Sequence, residues 1–569
     1  MMNNDVGFRF LPIVGLGLML CAGSGLVVAG TPSAGSLQQQ VEPNVGPTVD
    51  SSNSAGIEGL LQPEVPADLP STRAFMVNEI SIVGNVSFTK ETLHALVADA
   101  EGSDYTLVEL DQIAQRITSY YRDQGYSLNR AIIPAQEISD GLVIIAVVEA
   151  KFGQVGLVNN SLVSDKLLNN TIAPIQAGEV IADANLYSGL LLLSDIPGLL
   201  VQSTLVPGDE VGHSDVQLQA SDAAPVTGSV TADQHGDKYT GQEQVVGSIN
   251  MNNLAGHGDV LSLNGMLTSG DLKYGRVGYD WLLNGKGSHI GASYSGVNYA
   301  LGKDLTSIAA HGTSRVASAW FKQPLLRSLT ANINGQLQYE DSQLKDHVDA
   351  GSNVSRNDRT LKHWSFTLSG DAKDVFVKGG SSSWSVAITS GRLVFDDVTA
   401  QAADAEAGQT QRRFGKLNVT LSHVQGLSAK DSVLVSITGQ KADGNLDSLQ
   451  KMGVGGASSV RGYKGGAVSG DSGYFGSIQW NHQLGTRFGG SVTGSVYYDS
   501  AKVTINHTPW AGLTSDNQAT LSGAGLGLSW VNAKQVSVSL NVAGPVGPSS
   551  SLVTDAPEMR VWLQVSKSF

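Results

Sequence analysis

The sequence predicts a chain of mixed class in which two small βααββ units precede a sixteen-stranded antiparallel transmembrane β-barrel. Three observations carry that expectation. Residues 223–569 repeat a period of two, apolar then polar, nearly from end to end; the polar members are mostly Ser, Thr, Gly, Asn and Asp, as in strands set between lipid and a wet lumen. Residues 75–222 read instead as strands and helices in an order that occurs twice. Composition agrees: 67 of the 569 residues are glycine and 15% are charged, against usual shares of about 7% and 25%.

Charge and cysteine content remove several classes. Lys and Arg total 36 against 51 Asp and Glu, a formal net charge of −15, which argues against a protein that tracks nucleic-acid phosphates. The single cysteine, Cys21, excludes an intramolecular disulfide and a thiolate metal cluster. It lies in an apolar run over 11–28 that follows Arg9 and ends in Val27-Val28-Ala29, so residues 1–29 are expected to be a signal peptide. Leu20 before Cys21 does not suit a lipoprotein signal, and Pro12 weakens an uncleaved anchor.

Residues 30–74, with Pro43, Pro47, Pro63, Pro66 and Pro70, are a linker. Two pieces, 37–41 and 55–62, are long enough for a helical turn or two. In the first unit, 75–150, Ile80, Ile82 and Val83 form a strand closed by Gly84-Asn85. Thr89 caps a helix carrying Leu93, Leu96 and Val97, and Thr106 precedes a second in which Leu107, Leu110, Ile113 and Ile117 share a face up to Gly125. Strands over 131–134 and 142–148 follow, parted by Asp140-Gly141. The second unit, 151–222, repeats the order: a strand over 155–158, Asn159-Asn160 where Gly84-Asn85 stood, a helix over 186–193 before Gly198, and strands over 201–206 and 215–220. Each copy offers sheet edges to which an extended chain can add; a pair of plain spacers is the other reading of the pattern.

The barrel strands alternate as in Leu261/Leu263/Leu267, Val277/Tyr279/Trp281, Trp364/Phe366/Leu368 and Val561/Leu563/Val565. Sixteen such runs are counted, with 227–234 and 382–394 the least marked. Connections alternate between short, such as 252–258, 284–287, 323–328 and 424–430, and long, such as 298–312, 341–360, 395–412, 441–472 and 501–520. That asymmetry belongs to a bacterial outer-membrane barrel and puts the repeated units on the periplasmic side. Phe569 ends the chain on the apolar register, which Lys567 interrupts.

Particular residues then point to a family. The stretch Ile117-Thr-Ser-Tyr-Tyr-Arg-Asp-Gln-Gly-Tyr126, the run from Pro134 through Gln136 to Asp140-Gly141, and Val147-Val148-Glu149 resemble the first polypeptide-transport-associated (POTRA) domain of two-partner secretion transporters. The matching positions are Tyr121, Gly125, Tyr126, Pro134, Gln136, Asp140, Gly141 and Glu149; the family's glycine after Glu149 is Ala150 here. Val460-Arg461-Gly462-Tyr463, in the longest expected loop, resembles the motif at the tip of the sixth extracellular loop that folds back into the pore in this superfamily. The family's partner for that arginine is an aspartate in an aromatic-x-Asp-x-Gly pattern, matched by Tyr497-Tyr498-Asp499-Ser500-Ala501 with Ala501 for glycine. Asp499 shares the parity of Thr493 and Ser495 and so faces the lumen, where Arg461 offers a planar fork.

The resemblance implies an outer-membrane translocator of a Gram-negative bacterium, with POTRA domains in the periplasm. It would capture an unfolded secreted partner, an adhesin- or haemolysin-like passenger, and export it through the pore. Its other partner is outer-membrane lipid; nucleic acid and nucleotide are not expected, and passenger folding outside would draw the chain forward. A barrel-assembly factor of the same superfamily is the alternative, and a pore plug within 30–74 is a further expectation from the family. No enzyme, cofactor or metal is expected. Gly470-Asp471-Ser472-Gly473 and Ala309-Ala310-His311 echo protease motifs without their cysteines or second glycine. The eleven histidines include no His-x-x-x-His. Gly523-Ala-Gly-Leu-Gly527 is read as a set of strand glycines suited to barrel bends.

Overall fold

The computed structural model describes residues 32–42, 74–210, 212–351, 353–548, 550–553 and 559–569; the expected signal peptide and the helical piece at 55–62 lie outside them. The first described element is α1 (Ala34–Val41), started by a capping box between Ser33 and Ser36. Among the described residues no helix is long and apolar enough to cross a membrane.

The first unit comprises β1 (Phe75–Val77), β2 (Glu79–Val83), α2 (Lys90–His94), β3 (Ser103–Tyr105), α3 (Leu107–Asp123), β4 (Arg130–Ile132) and β5 (Leu142–Val148). Thr89 and Thr106 cap α2 and α3, the latter in a reciprocal box with Glu109. Leu110, Ile113, Ile117 and Tyr121 on one face of α3 bury against Val143, Ile145 and Val147 of β5. β2 runs parallel and β4 antiparallel to the central β5.

The second unit, β6 (Lys151–Asn160), α4 (Asp165–Ile172), α5 (Asp183–Ser194), β7 (Leu199–Pro207) and β8 (His213–Asp222), has the same order and pairing senses around β8. Its core also takes in Leu282, at the end of β12, and packs against Leu329, from a barrel turn. Arg327 and Asp195 join the two parts by a two-pronged ion pair at 2.7 Å on each prong. The contact between the first and second units is partly polar, with Ser127 Oγ donating to Asp183 Oδ1 at 2.5 Å and Asp183 N to Gly125 O at 2.9 Å, and partly apolar, since Leu128 and Ala150 reach the second unit's core.

Sixteen antiparallel strands close the barrel. In order they are β9 (Val226–Asp233), β10 (Gln244–Asn252), β11 (Val260–Thr268), β12 (Asp271–Leu282), β13 (His289–Ala300), β14 (Ala310–Arg327), β15 (Ala331–Ala350), β16 (Asn353–Lys373), β17 (Gly380–Phe395), β18 (Arg413–Gly426), β19 (Asp431–Ala442), β22 (Ser472–Arg487), β23 (Gly490–Thr504), β24 (Gln518–Asn532), β25 (Val536–Pro545) and β26 (Arg560–Ser568). A small hairpin, β20 (Met452–Val454) with β21 (Val468–Gly470), lies inside the loop between β19 and β22. A short helix, α6 (Val398–Glu406), stands in the loop after β17. β26 closes onto β9 from Gln564↔Asp233 to Ser568↔Ser229, and Phe569 continues the ladder by exchanging two bonds with Gly228.

The outward rows, such as Leu417, Val419 and Leu421 or Leu526 and Leu528, stay exposed, which is where lipid belongs. One part of the expected loop alternation fails. The segment 341–360 is not a loop: β15 and β16 run through it on either side of Gly351 and stay paired from Ala350↔Asn353 onward. At 298–312 the strands take only the two ends and leave 301–309 as a loop, and β11 and β12 meet across only 269–270. Past the bilayer both faces of a hairpin are wet, so nothing there demands apolar alternation, and the polar run 340–346 reads like a loop while pairing as strand.

Candidate functional site

The loop 443–471 follows the eleventh barrel strand, β19, and turns back into the lumen. Val460 and Tyr463 are buried with Met452, Val454, Ala467 and Val468 of the same loop against Ala501 and Val503 of β23 and Ala519 and Leu521 of β24. Arg461 and Asp499 meet there. The guanidinium grips the carboxylate at two points, Nε to Oδ2 and Nη2 to Oδ1, each 2.8 Å, and Arg461 N adds a third contact to Oδ2 at 3.2 Å. Nη1 donates to Gln479 Oε1 at 2.8 Å, and Ser477 Oγ donates to Asp499 Oδ1 at 2.7 Å. The Arg461 Cζ lies 3.2 Å from the centre of the Tyr497 ring, a stacking that suits a flat, weakly hydrated cation. Asp499 is 0% exposed and the Arg461 side chain 12%. Trp562 Nε1, from the last strand, donates to Arg461 O at 2.8 Å and fixes the backbone.

Glycines make the room. A Cβ on Gly462 would lie 2.8 Å from the Gly544 carbonyl carbon, and one on Gly525 would fall 2.6 Å from the Tyr497 hydroxyl. Gly523 faces Gly462 N at 3.1 Å from its own notional Cβ. The glycine run at 523–527 is therefore a recess for the loop and the tyrosine ring, which period-two reading of a barrel strand does not disclose. Ala501 is fully accommodated in the apolar cluster, so its methyl fits where the family pattern carries glycine.

A second buried ion pair anchors the same loop. Lys451 Nζ lies 3.0 Å from Asp471 Oδ1, and the Asp471 carboxylate also accepts from Leu446 N and His507 N. Ser472 Oγ accepts from Ala442 N. The protease-like residues are thus structural ties, and His311 on β14 is six strands away from Ser472 on β22. The sequence marks Asp471 only as a member of the protease-like motif; its role shows when the fold brings Lys451 beside it.

Helix α1 occupies the lumen beside this loop. Leu37 packs with the inward residues Tyr274, Val297, Tyr299 and Leu344, and Gln38 Nε2 donates to Ser295 Oγ at 3.1 Å. Ala34 N donates to Asp346 Oδ1 at 2.7 Å, and Ser33 Oγ to Ser448 Oγ of the loop at 3.0 Å. The buried Arg359 bridges Asp346 at 2.7 Å and the loop's Asp447 at 2.5 Å.

The signature residues of the first unit gather elsewhere, around Glu149. Its carboxylate accepts from Val86 N and Ser87 N at 2.8 Å, Ser87 Oγ at 2.9 Å and the Tyr121 hydroxyl at 2.7 Å. Burial alone would raise its pKa, but these four donors outweigh burial and hold the carboxyl below its usual range. Tyr121 and Tyr126 pack edge-on around Phe88. Gln136 exchanges two 2.8 Å bonds with the backbone of Ile144, standing in for a strand neighbour of β5. Asp140 and Gly141 both take positive φ, with Asn78 N bonded to Gly141 O, and Gly125 turns the chain after α3 in the same way. Pro134 lies half-buried after β4. Ala150 donates its N–H to Asn129 and needs no left-handed backbone, so alanine costs nothing there.

The comparisons with known proteins agree with this arrangement. The family model for the haemolysin secretion/activation protein ShlB/FhaC/HecB matches residues 212–530, and that for the ShlB-type POTRA domain matches 75–150. The heme/hemopexin transporter protein HuxB of Haemophilus influenzae strain 86-028NP is 28% identical, over 98% of each chain. The outer membrane transporter CdiB of Dickeya dadantii strain 3937 is 23% identical over 72% of each. The solved structure of CdiB from Escherichia coli superposes with a TM-score of 0.68 at 23% identity, covering 90% of this chain and 93% of that one. With more than half its length inside the first match, the chain belongs to the haemolysin secretion/activation family of ShlB, FhaC and HecB.

Proposed function

We propose that this two-partner secretion transporter of the outer membrane exports a large adhesin- or haemolysin-like protein, taken up unfolded by its periplasmic POTRA domains. The family match displaces the barrel-assembly alternative. The observation that carries the reading is a lumen filled by two pieces of the chain, α1 and the loop 443–471, each held by hydrogen bonds or ion pairs as well as by apolar packing. Neither piece is a strand of the barrel wall, so the filling can leave without breaking the barrel's ladder. β7 pairs only with β8 among the described residues, and its other edge is suited to adding an extended passenger segment by backbone hydrogen bonds. Folding outside supplies the pull. Arg461 and Asp499 act as the lock on the loop.

The test is deletion of 75–222. The barrel should still insert and remain heat-modifiable, while passenger no longer reaches the medium; normal secretion by that variant would remove the POTRA domains from the mechanism.

A further inference from the structure

Seven turns join the barrel strands on the periplasmic side. The second POTRA unit covers the first three: Ser164 N donates to Gly256 O at 2.9 Å, a Cβ on Gly285 would lie 2.4 Å from the Asn170 carbonyl carbon, and Arg327 pairs with Asp195. The remaining turns, 374–379, 427–430, 488–489 and 533–535, make no hydrogen bond or ion pair to either unit among the described residues.

Their composition is unusual for turns in water, which favour Gly, Asn, Asp and Ser. Val375, Phe376 and Val377 stand in a row at one tip, with Phe376 70% exposed, and Leu427 lies exposed on the next. Phe488 is 95% exposed with φ +51, a left-handed conformation that disfavours bulky residues. Exposed basic side chains flank these tips: Lys378, Lys430, Arg487 and Lys534. None of the four is in an ion pair among the described residues, and they collect on one half of the rim of a chain whose net charge is −15.

The tips are continuous with the lipid-facing belt. Phe376 packs edge-on, centroids 5.4 Å apart, against His423, which follows Leu417, Val419 and Leu421 in the outward row of β18. Trp530, in the outward row with Leu526 and Leu528, donates from Nε1 to Arg487 O at 2.9 Å and ties the Phe488 turn to the belt. Aromatic rings over apolar tips with flanking Lys and Arg are the composition of a segment that sits at a charged membrane surface.

We propose that this half of the rim binds the periplasmic leaflet, with Phe376 and Phe488 entering the acyl boundary. Lys378, Lys430, Arg487 and Lys534 take the phosphates of anionic phospholipids. One rim therefore has two occupants: the second POTRA unit on turns one to three, and lipid on turns four to seven.

The experiment places a polarity-sensitive dye at Phe376→Cys or Phe488→Cys in a Cys21→Ser background. The full chain is reconstituted in phosphatidylethanolamine vesicles with or without phosphatidylglycerol. Blue-shifted emission, quenched by lipids brominated near the headgroup, is expected at both sites and not at Gln401→Cys on the exposed helix α6. Charge reversal at Lys378→Glu and Arg487→Glu, in chains that remain heat-modifiable, should lower the preference for phosphatidylglycerol about fivefold per cation at low salt, and less at high salt. Water-like emission at both tips would overturn the proposal. So would a shift that appears only when passenger protein is added, since the surface would then belong to a protein.

Discussion

Replacing Arg461 by alanine should release the loop 443–471 from the lumen wall and sharply reduce secretion while leaving barrel insertion intact. The magnitude follows from what is lost and what remains. The variant forfeits both prongs on Asp499, the bond to Gln479 and the stack on Tyr497. Breaking one side of a shielded ion pair costs about 3–5 kcal/mol. Asp499 keeps Ser477 Oγ and the residue 461 backbone N–H as donors, so the lower end, about 3 kcal/mol, applies. That corresponds to a loss of roughly 150-fold in the ratio of held to released loop. Asp499→Ala should produce a similar defect, because the guanidinium retains Gln479 and Tyr497 as the carboxylate retains its donors. The double variant should fall short of additivity by about 1–3 kcal/mol, as both changes break one interaction. Arg461→Lys should rescue poorly, since a point charge cannot hold two oxygens and a ring at once. The assay is passenger in the medium normalised to folded transporter in the outer membrane, across the full cycle. Strictly additive losses, or wild-type secretion by Arg461→Ala, would refute the lock.

Two further outcomes are expected. Removing 30–74, and α1 with it, should raise single-channel conductance in planar bilayers without abolishing insertion; an unchanged conductance would make the segment a tether. The depressed pKa of Glu149 means that its stabilising contribution is present above the unfolded-state value, near 4.5, and is lost as pH falls through the lower folded-state value. Protection of the Val86 and Ser87 amides from hydrogen exchange in the intact chain, taken relative to the intrinsic rate at each pH, should therefore fall on acidification through that window, and Tyr121→Phe, which removes one of the four donors, should bring the loss to a higher pH; a protection factor that does not change with pH would contradict the account.

Much of the architecture was legible because a wall between lipid and water must alternate. Where that demand lapses, so did the reading: the outer halves of β15 and β16 are strands without an apolar face. The helix α4 has no clear sequence signal in the second unit, because Asp165–Ile172 offers only a few apolar positions, Leu167, Leu168 and Ile172, in a polar run. At the site, Arg461 and Asp499 were found by motif and parity. The recess formed by Gly462, Gly523 and Gly525 could not be, since it depends on how three distant segments approach one another. Nor could Lys451 and Arg359, whose partners Asp471, Asp346 and Asp447 are assigned only by the path of the loop and of α1.

The shared packing of Leu282 and Leu329 with the second POTRA unit divides the periplasmic arm into parts of unequal stiffness. The second unit cannot leave the barrel without opening its own apolar interior, so it behaves as an extension of the wall. The first is joined to it by a smaller contact, the polar bonds of Ser127, Asp183 and Gly125 together with Leu128 and Ala150 at the edge of the second unit's core. Any swivel of the arm is therefore concentrated at that one joint. A load applied by a captured chain at the first unit turns it about Gly125, whereas a load applied at the second is delivered directly to turns one to three, at the base of β10 to β15.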